Sequence, residues 1–191
     1  METVPASRAF DDLVRARASC RAYDPQRPVP RPLLRRCLDS ARQAPSACNR
    51  QPWRFVVVDD PARLTALRRQ ARLPGIPHRW WDAVPVFLVL CAQPDVRTHR
   101  LAAAVAGIPY LALDVGGAGT HFVLAATELG LGTCWIGWFR KRRVRKLLGI
   151  PRAVRVMAMI TVGYPLTPRP EPRTRRPLAE LLHWNRWGNH P

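Results

Sequence analysis

The sequence predicts an α+β fold, a single domain over residues 1–191 in which one sheet carries helices on its faces. Three observations point there. Helical and strand periodicities are mixed along the chain without the strict strand–helix–strand alternation of a doubly wound sheet. A length of 191 residues suits one compact unit with a core of its own. No internal repeat or low-complexity tract divides the chain.

The elements follow in order. Residues 7–17 read as a first helix. Residues 32–44 place Leu34, Cys37, Leu38 and Ala41 on one stripe, which is helical spacing, and Pro45 stops it. Residues 53–59 are a strand between Pro52 and the Asp59-Asp60-Pro61 turn. Asp60 caps a helix that begins with Pro61 and turns Leu64, Leu67 and Ala71 inward. Residues 86–92 are a continuous apolar strand. Residues 111–129 form a long helix closed by Gly130; its Gly116, Gly117 and Gly119 each cost about 1 kcal/mol relative to Ala, so close packing against this helix is expected. Residues 133–138 and 156–163 are strands, with a basic helix over 141–148 between them, closed by Gly149. The proline- and arginine-rich stretch 165–177 is an extended crossing, and 178–184 a last short helix.

Composition narrows the class. The chain is 47% hydrophobic and 23% charged, as globular proteins are. No run reaches the roughly 18 apolar residues of a membrane span, and the N-terminal residues 1–10 lack the apolar stretch of a secretory signal, so the cytoplasm is the expected location. The five cysteines show no C-x-x-C pair and read as free, mostly buried thiols rather than a metal or redox site. The net charge of +18 invites a nucleic-acid reading. Against it, the charge is spread along the chain and no nucleic-acid module accompanies it; nucleic acid is not the expected partner. Residues 140–146, six of seven of them basic, are either a solvated helix face or a dock for an anionic partner.

Three polar clusters can carry chemistry. Arg17-Ala18-Ser19-Cys20-Arg21 follows the first helix; if extended, it puts Arg17, Ser19 and Arg21 on one side, an arrangement suited to a phosphate. Alone it reads more readily as a run of surface arginines in an arginine-rich chain. Residues 45–53, PSACNRQPW, form a polar loop that leads into a strand, and Arg173-Thr174-Arg175-Arg176-Pro177 ends the proline-rich crossing. Gly130 and Gly132 follow a helix and precede a strand, the reverse of a dinucleotide fingerprint, and are explained by a helix C-cap and tight turn. The five histidines are scattered, with His121 on the long helix as a packed or interfacial rather than a catalytic residue, and no G-x-S-x-G, H-E-x-x-H or Walker motif is present. A chain without an evident acid, base or nucleophile suits an enzyme whose cofactor performs the difficult step.

Together the clusters and their order resemble the FMN-dependent nitroreductase family. RASCRAY at 17–23 is similar to that family's opening R-R-S-x-R-x-[FY]. APSACNRQPW at 44–53 is close to its A-P-S-x-x-N-x-Q-P-W. ELGLGTCWIG at 128–137 is the third match, and VGYP at 162–165 followed by Arg173, Arg175 and Pro177 the fourth. The likeness runs from about residue 10 to 187.

The resemblance implies a three-layer sandwich with a mostly antiparallel central sheet, assembled as an intertwined homodimer with FMN at the subunit interface. It implies that Arg17, Ala18, Ser19 and Arg21 hold the phosphate, ribityl chain and pyrimidine edge of FMN. Arg173 and Arg175 close on the phosphate; Pro45, Ser46, Ala47 and Asn49 approach from the partner subunit; the backbone of Ile136 and Gly137 faces the flavin N5 and O4 edge. The glycine-rich helix is then the dimer contact. Trp80, Trp81 or Trp138 are candidates for the open face of the ring. The implied activity is two-step hydride transfer from NAD(P)H through FMN to a small electron-poor acceptor, a nitroaromatic or quinone. The alternatives are metabolite dehydrogenation or reductive dehalogenation by the same flavin, and, from another class, a basic binding module for an anionic partner. The sequence departs from the pattern at Ala18, often basic or polar in the family, at Trp138, where a second glycine is common, and in the short span 93–110.

Overall fold

The strand expected to be wholly apolar lies near the centre of one antiparallel sheet. In the computed structural model, which describes residues 8–76, 78–95, 98–99, 103–166 and 174–190, β1 (Trp53–Val58), β2 (Val86–Ala92), β3 (Gly132–Ile136) and β4 (Arg155–Gly163) run in the order β1-β2-β4-β3. Every neighbouring pair is antiparallel. The register sets Phe55 opposite Leu90, Val86 opposite Val162 and Cys134 opposite Thr161.

Alternation along β2 explains the layers. Val86, Leu88, Leu90 and Ala92 enter one core with Leu34, Cys37 and Ala41 of α2 (Arg31–Ala41) and Leu111, Val115, Ala118 and Phe122 of α5 (Tyr110–Glu128). Phe87, Val89 and Cys91 enter the other with Leu64, Leu67 and Ala71 of α3 (Pro61–Ala71) and Val144 of α6 (Lys141–Leu147). A strand buried on both faces needs an unbroken apolar run rather than an alternating one. The result is the three-layer sandwich, with α1 (Arg8–Ala16) against α5 and a one-turn α4 at Ala103–Ala106. Asp60 caps α3 as its sequence position predicts, its carboxylate accepting the Arg63 N–H at 2.9 Å. All five cysteines are free thiols and four of them are buried; burial pushes Cys37 and Cys91 up to about 11.

Three expectations are corrected. The α2 helix ends at Ala41, because residues 42–44 tighten into turns in which the Gln43 and Ala44 N–H groups reach back only three residues. β3 stops at Ile136 rather than 138, since the buried Phe139 draws the chain off the sheet edge towards α6. The expected helix 178–184 is a single turn, Leu178–Glu180: Leu178, Leu181 and Trp184 are exposed, and so short a helix without a face to pack on is not held. The close packing expected of the α5 glycines occurs at Gly119, and within the chain: a Cβ there would meet the Trp135 ring and come 3.0 Å from Leu90 Cδ1, whereas nothing lies within 4 Å of a Cβ on Gly116. Stretch 167–173 of the expected crossing lies outside the described residues. No helix among the described residues is long and apolar enough to cross a membrane.

Gly163 ends β4 where a Cβ would sit 2.7 Å from Pro85 Cδ and 2.8 Å from Tyr23 Cδ1. Both neighbours are parts of rings with little room to yield, so Gly163→Ala is expected to lose about 1–3 kcal/mol of stability, as overpacked cores do, measured by urea denaturation.

Candidate functional site

The arginine-bearing segment is positioned by the sheet. Ser19 bridges to Thr133 in parallel, the Cys20 N–H donates to the Thr133 carbonyl at 2.8 Å, and the Leu166 N–H donates to the Ala22 carbonyl at 3.0 Å. The segment therefore continues the sheet beyond β3. Tyr23 anchors it: its buried hydroxyl lies 2.9 Å from the Cys20 carbonyl and 2.7 Å from Thr161 Oγ1, and burial pushes its phenol far up. Gly132 lets the two backbones approach, because a Cβ there would fall 2.7 Å from Cys20 Cβ. Arg17, Ala18 and Ser19 end half-buried and Arg21 exposed.

Where β3 ends, a groove of about 570 Å³ opens between Arg21, His78, Trp80, Cys134, Trp135, Ile136, Gly137 and Trp138. A Cβ on Gly137 would meet nothing within 4 Å, so the backbone after Ile136 is open to the groove. Of the tryptophans proposed for its lining, Trp80 and Trp138 are there, and Trp138 is 73% exposed. Trp81 is not. It is 0% exposed and packs edge-on against Phe87 and face to face with His78, at 5.6 and 4.4 Å between ring centroids, because the one-turn helix Arg79–Ala83 points adjacent tryptophans in different directions. Trp135 and His78 were not singled out from the sequence. Trp135 is legible in retrospect: it alternates with the inward Cys134 and Ile136 and so faces the layer that contains Gly119.

The loop after α2 forms a second part of the site. The Ser46 hydroxyl accepts the Gln51 N–H at 2.9 Å, and the Ser46 carbonyl accepts the Asn49 N–H at 2.9 Å. Cys48, Asn49 and Gln51 are left-handed, with φ of 50°, 51° and 46°. Such a conformation costs a non-glycine residue roughly 1–2 kcal/mol, less for Asn. Pro45, Ser46, Ala47 and Asn49 are not among the residues around the groove; the loop lies instead against α5, where the Ala47 N–H donates to Asp114 Oδ1 at 3.0 Å. The structure thus brings Arg21, Ile136 and Gly137 together and places the 45–49 stretch elsewhere on the chain. Arg175 is exposed, its guanidinium donating to the Thr174 carbonyl at 3.0 Å, and Arg173 lies outside the described residues. His121 is packed, with Nδ1 3.2 Å from the Ser40 carbonyl. The basic face of α6 shows Lys141, Arg142, Arg143 and Lys146 to solvent while Val144 turns inward.

Comparison with known proteins decides the family. The model of the nitroreductase family matches residues 14–73 and 61–164. The chain belongs to the nitroreductase family. It is 35% identical, over 88% of its length and 92% of the relative's, to an NADH dehydrogenase of Thermus thermophilus. It is 29% identical, over 86% and 69% of the two lengths, to an FMN reductase [NAD(P)H] of Bacillus subtilis. A solved nitroreductase-family protein from Streptococcus pneumoniae superposes with a TM-score of 0.77 at 28% identity, covering 91% of this chain and 98% of that one. This nitroreductase-family chain is an oxidoreductase, and the residues matched by the family model include the segment 17–23, the 45–53 loop and the end of β3 described above.

His78, beside the groove, is pushed below the usual histidine range by burial and by the nearby Arg72, against an opposing pull from the Trp138 backbone. Its unfolded form takes up a proton near pH 6.5 while the folded form resists it. Stability is therefore expected to fall as pH drops through 6.5. In His78→Gln that component of the pH dependence of the urea midpoint is expected to disappear.

Proposed function

We propose that the chain is a flavoenzyme that binds FMN in a site completed by a second copy of itself and moves a hydride from NAD(P)H to a small electron-poor acceptor of nitroaromatic or quinone type. The observation that carries this reading is the groove at the end of β3, where a guanidinium (Arg21), open backbone at Gly137, a half-buried indole (Trp80) and an exposed one (Trp138) meet. These features fit a flavin: the groove offers width for a fused ring, aromatic faces for stacking, and polar backbone along one edge. The family and the FMN reductase relative support the same cofactor.

FMN, when bound, supplies a two-electron carrier that neither NAD(P)H nor the acceptor needs to meet the other to use. The chain's own residues bind and orient. Arg17, Ser19, Arg173 and Arg175 would hold the phosphate, where charge-assisted hydrogen bonds are strongest, with the Ala18 backbone between them. Arg21 would set a fixed positive charge at the pyrimidine edge, which favours an electron-rich ring there. The Ile136–Gly137 backbone would orient the ring without adding a group that titrates. Pro45, Ser46, Ala47 and Asn49 would come from the second copy, which accounts for their distance from the groove of their own chain.

The α5 face at Ala112, Leu113, Gly116, Gly117 and Thr120 is half or fully exposed, and its small residues admit a close neighbour. Phe10, Val14, Leu178, Leu181, Trp184 and Trp187 add exposed apolar surface of the kind that marks an interface. A second copy on α5 is the proposed cover.

The purified protein is expected to show flavin absorbance or to take up added FMN, and to be bleached by NADH or NADPH under anaerobic conditions; no flavin and no uptake would overturn the cofactor assignment. Arg175→Glu is expected to weaken FMN binding about tenfold or more, read by quenching of flavin fluorescence. Sedimentation is expected to give a dimer, and a stable FMN-loaded monomer would refute the shared site.

A further inference from the structure

We infer that Asp114 and His99 are positioning residues for the 45–51 loop, holding its left-handed backbone in the form that meets the flavin; the inference rests on the flavin reading above.

Asp114 lies three residues from Leu111 and four from Ala118 on the inward stripe of α5, a position that otherwise takes apolar side chains. It is 6% exposed, and both carboxylate oxygens are engaged: Oδ1 accepts the Ala47 N–H at 3.0 Å, and Oδ2 lies 3.0 Å from His99 Nε2. The His99 ring is fully buried, and its Nδ1 accepts the Asp95 N–H at 3.0 Å. That bond assigns the proton to Nε2, so the ring donates to Asp114. Asp95 in turn accepts the Thr98 N–H at 2.8 Å, and Thr98 Oγ1 accepts from Arg50 Nε at 3.2 Å.

The chain of bonds is a circuit. It leaves the loop at Ala47 and returns to it at Arg50, which are themselves joined by an Arg50 N–H to Ala47 carbonyl bond of 3.1 Å. Cys48 and Asn49, both left-handed, lie between these two points. Strained backbone persists where its surroundings over-determine it, and the circuit supplies that constraint from two sides. A buried carboxylate is costly unless its acceptors are filled, so an aspartate at this apolar position needs a reason other than packing. Holding Asn49 and the Ser46–Ala47 backbone in one geometry is that reason: these residues reach the flavin of the other copy in the reading above, and a misplaced loop would spoil a site it does not itself enclose.

Asp114→Asn in the full-length protein tests this. The amide oxygen fills only one of the two positions that Ala47 and His99 address separately, so the NH₂ group takes the other and faces a donor. Amide hydrogen exchange at Ala47 and Asn49 is expected to accelerate about tenfold or more, with FMN binding weakened by a similar factor, while exchange in β2 stays as in the wild type. Thr98→Val opens the circuit at its other end without touching Asp114, and is expected to act in the same direction should Asp114→Asn fold poorly. Loop exchange unchanged in both variants overturns the inference. So does acceleration spread equally over β2, which is a loss of global stability alone, and so does a loosened loop with unchanged FMN affinity. Absence of FMN uptake by the wild type is a different result: it overturns the flavin reading itself and removes the purpose assigned to the loop.

Discussion

Burial of β2 on both faces is the constraint from which the rest of the molecule follows. A strand whose every side chain is apolar must be covered twice, so helices are required above and below the sheet, and the two cores divide the side chains of one strand between them. The same requirement pushes irregular backbone to the margins. The interior strands β2 and β4 have neighbours on either side, whereas β3 has one full neighbour and then runs out at Ile136. The groove proposed above as the flavin site lies at that margin, where Gly137 is open and the segment bearing Arg17, Ser19 and Arg21 lies alongside.

Much of this was legible in the sequence, for identifiable reasons. The run at 86–92, the Asp60–Pro61 helix start and the inward stripe Leu64, Leu67, Ala71 are local signals that packing reinforces, and they appear where expected. The three-layer arrangement and the motif positions came from family likeness, which the comparisons bear out for family and fold. The failures came where tertiary contact outweighs pattern. Trp80 and Trp81 are indistinguishable in sequence, yet one lines the groove and the other is core. The close packing to which the α5 glycines pointed is present at Gly119, but no sequence pattern names Trp135 as the side chain that fills it. The 178–184 pattern was helical in period and lacked anything in its own chain to pack on.

The buried Asp114–His99 pair was missed for another reason. His99 looked like one of five scattered histidines, and the sequence gives no distance between positions 99 and 114. The available signal was a carboxylate on an apolar helix stripe, which conflicts with local preference and so marks a place where something beyond packing is satisfied. The net charge of +18 is prominent in the composition without marking a site: its spread along the chain sets nucleic acid aside, and in α6 the basic side chains Lys141, Arg142, Arg143 and Lys146 are exposed while Val144 is buried.

The pairing of Ser19 and Cys20 with Thr133 has a bearing on solubility as well as recognition. An uncovered outer strand offers its amides and carbonyls to any extended peptide that drifts past, which is how sheets of separate molecules fuse. Here the stretch that carries the arginines is also the selvedge of the sheet, hemmed by the Tyr23 hydroxyl and the Leu166 N–H. Whatever holds those arginines in place thereby keeps the fabric from unravelling, and a chain that let them go would present the raw edge of Thr133 to its neighbours.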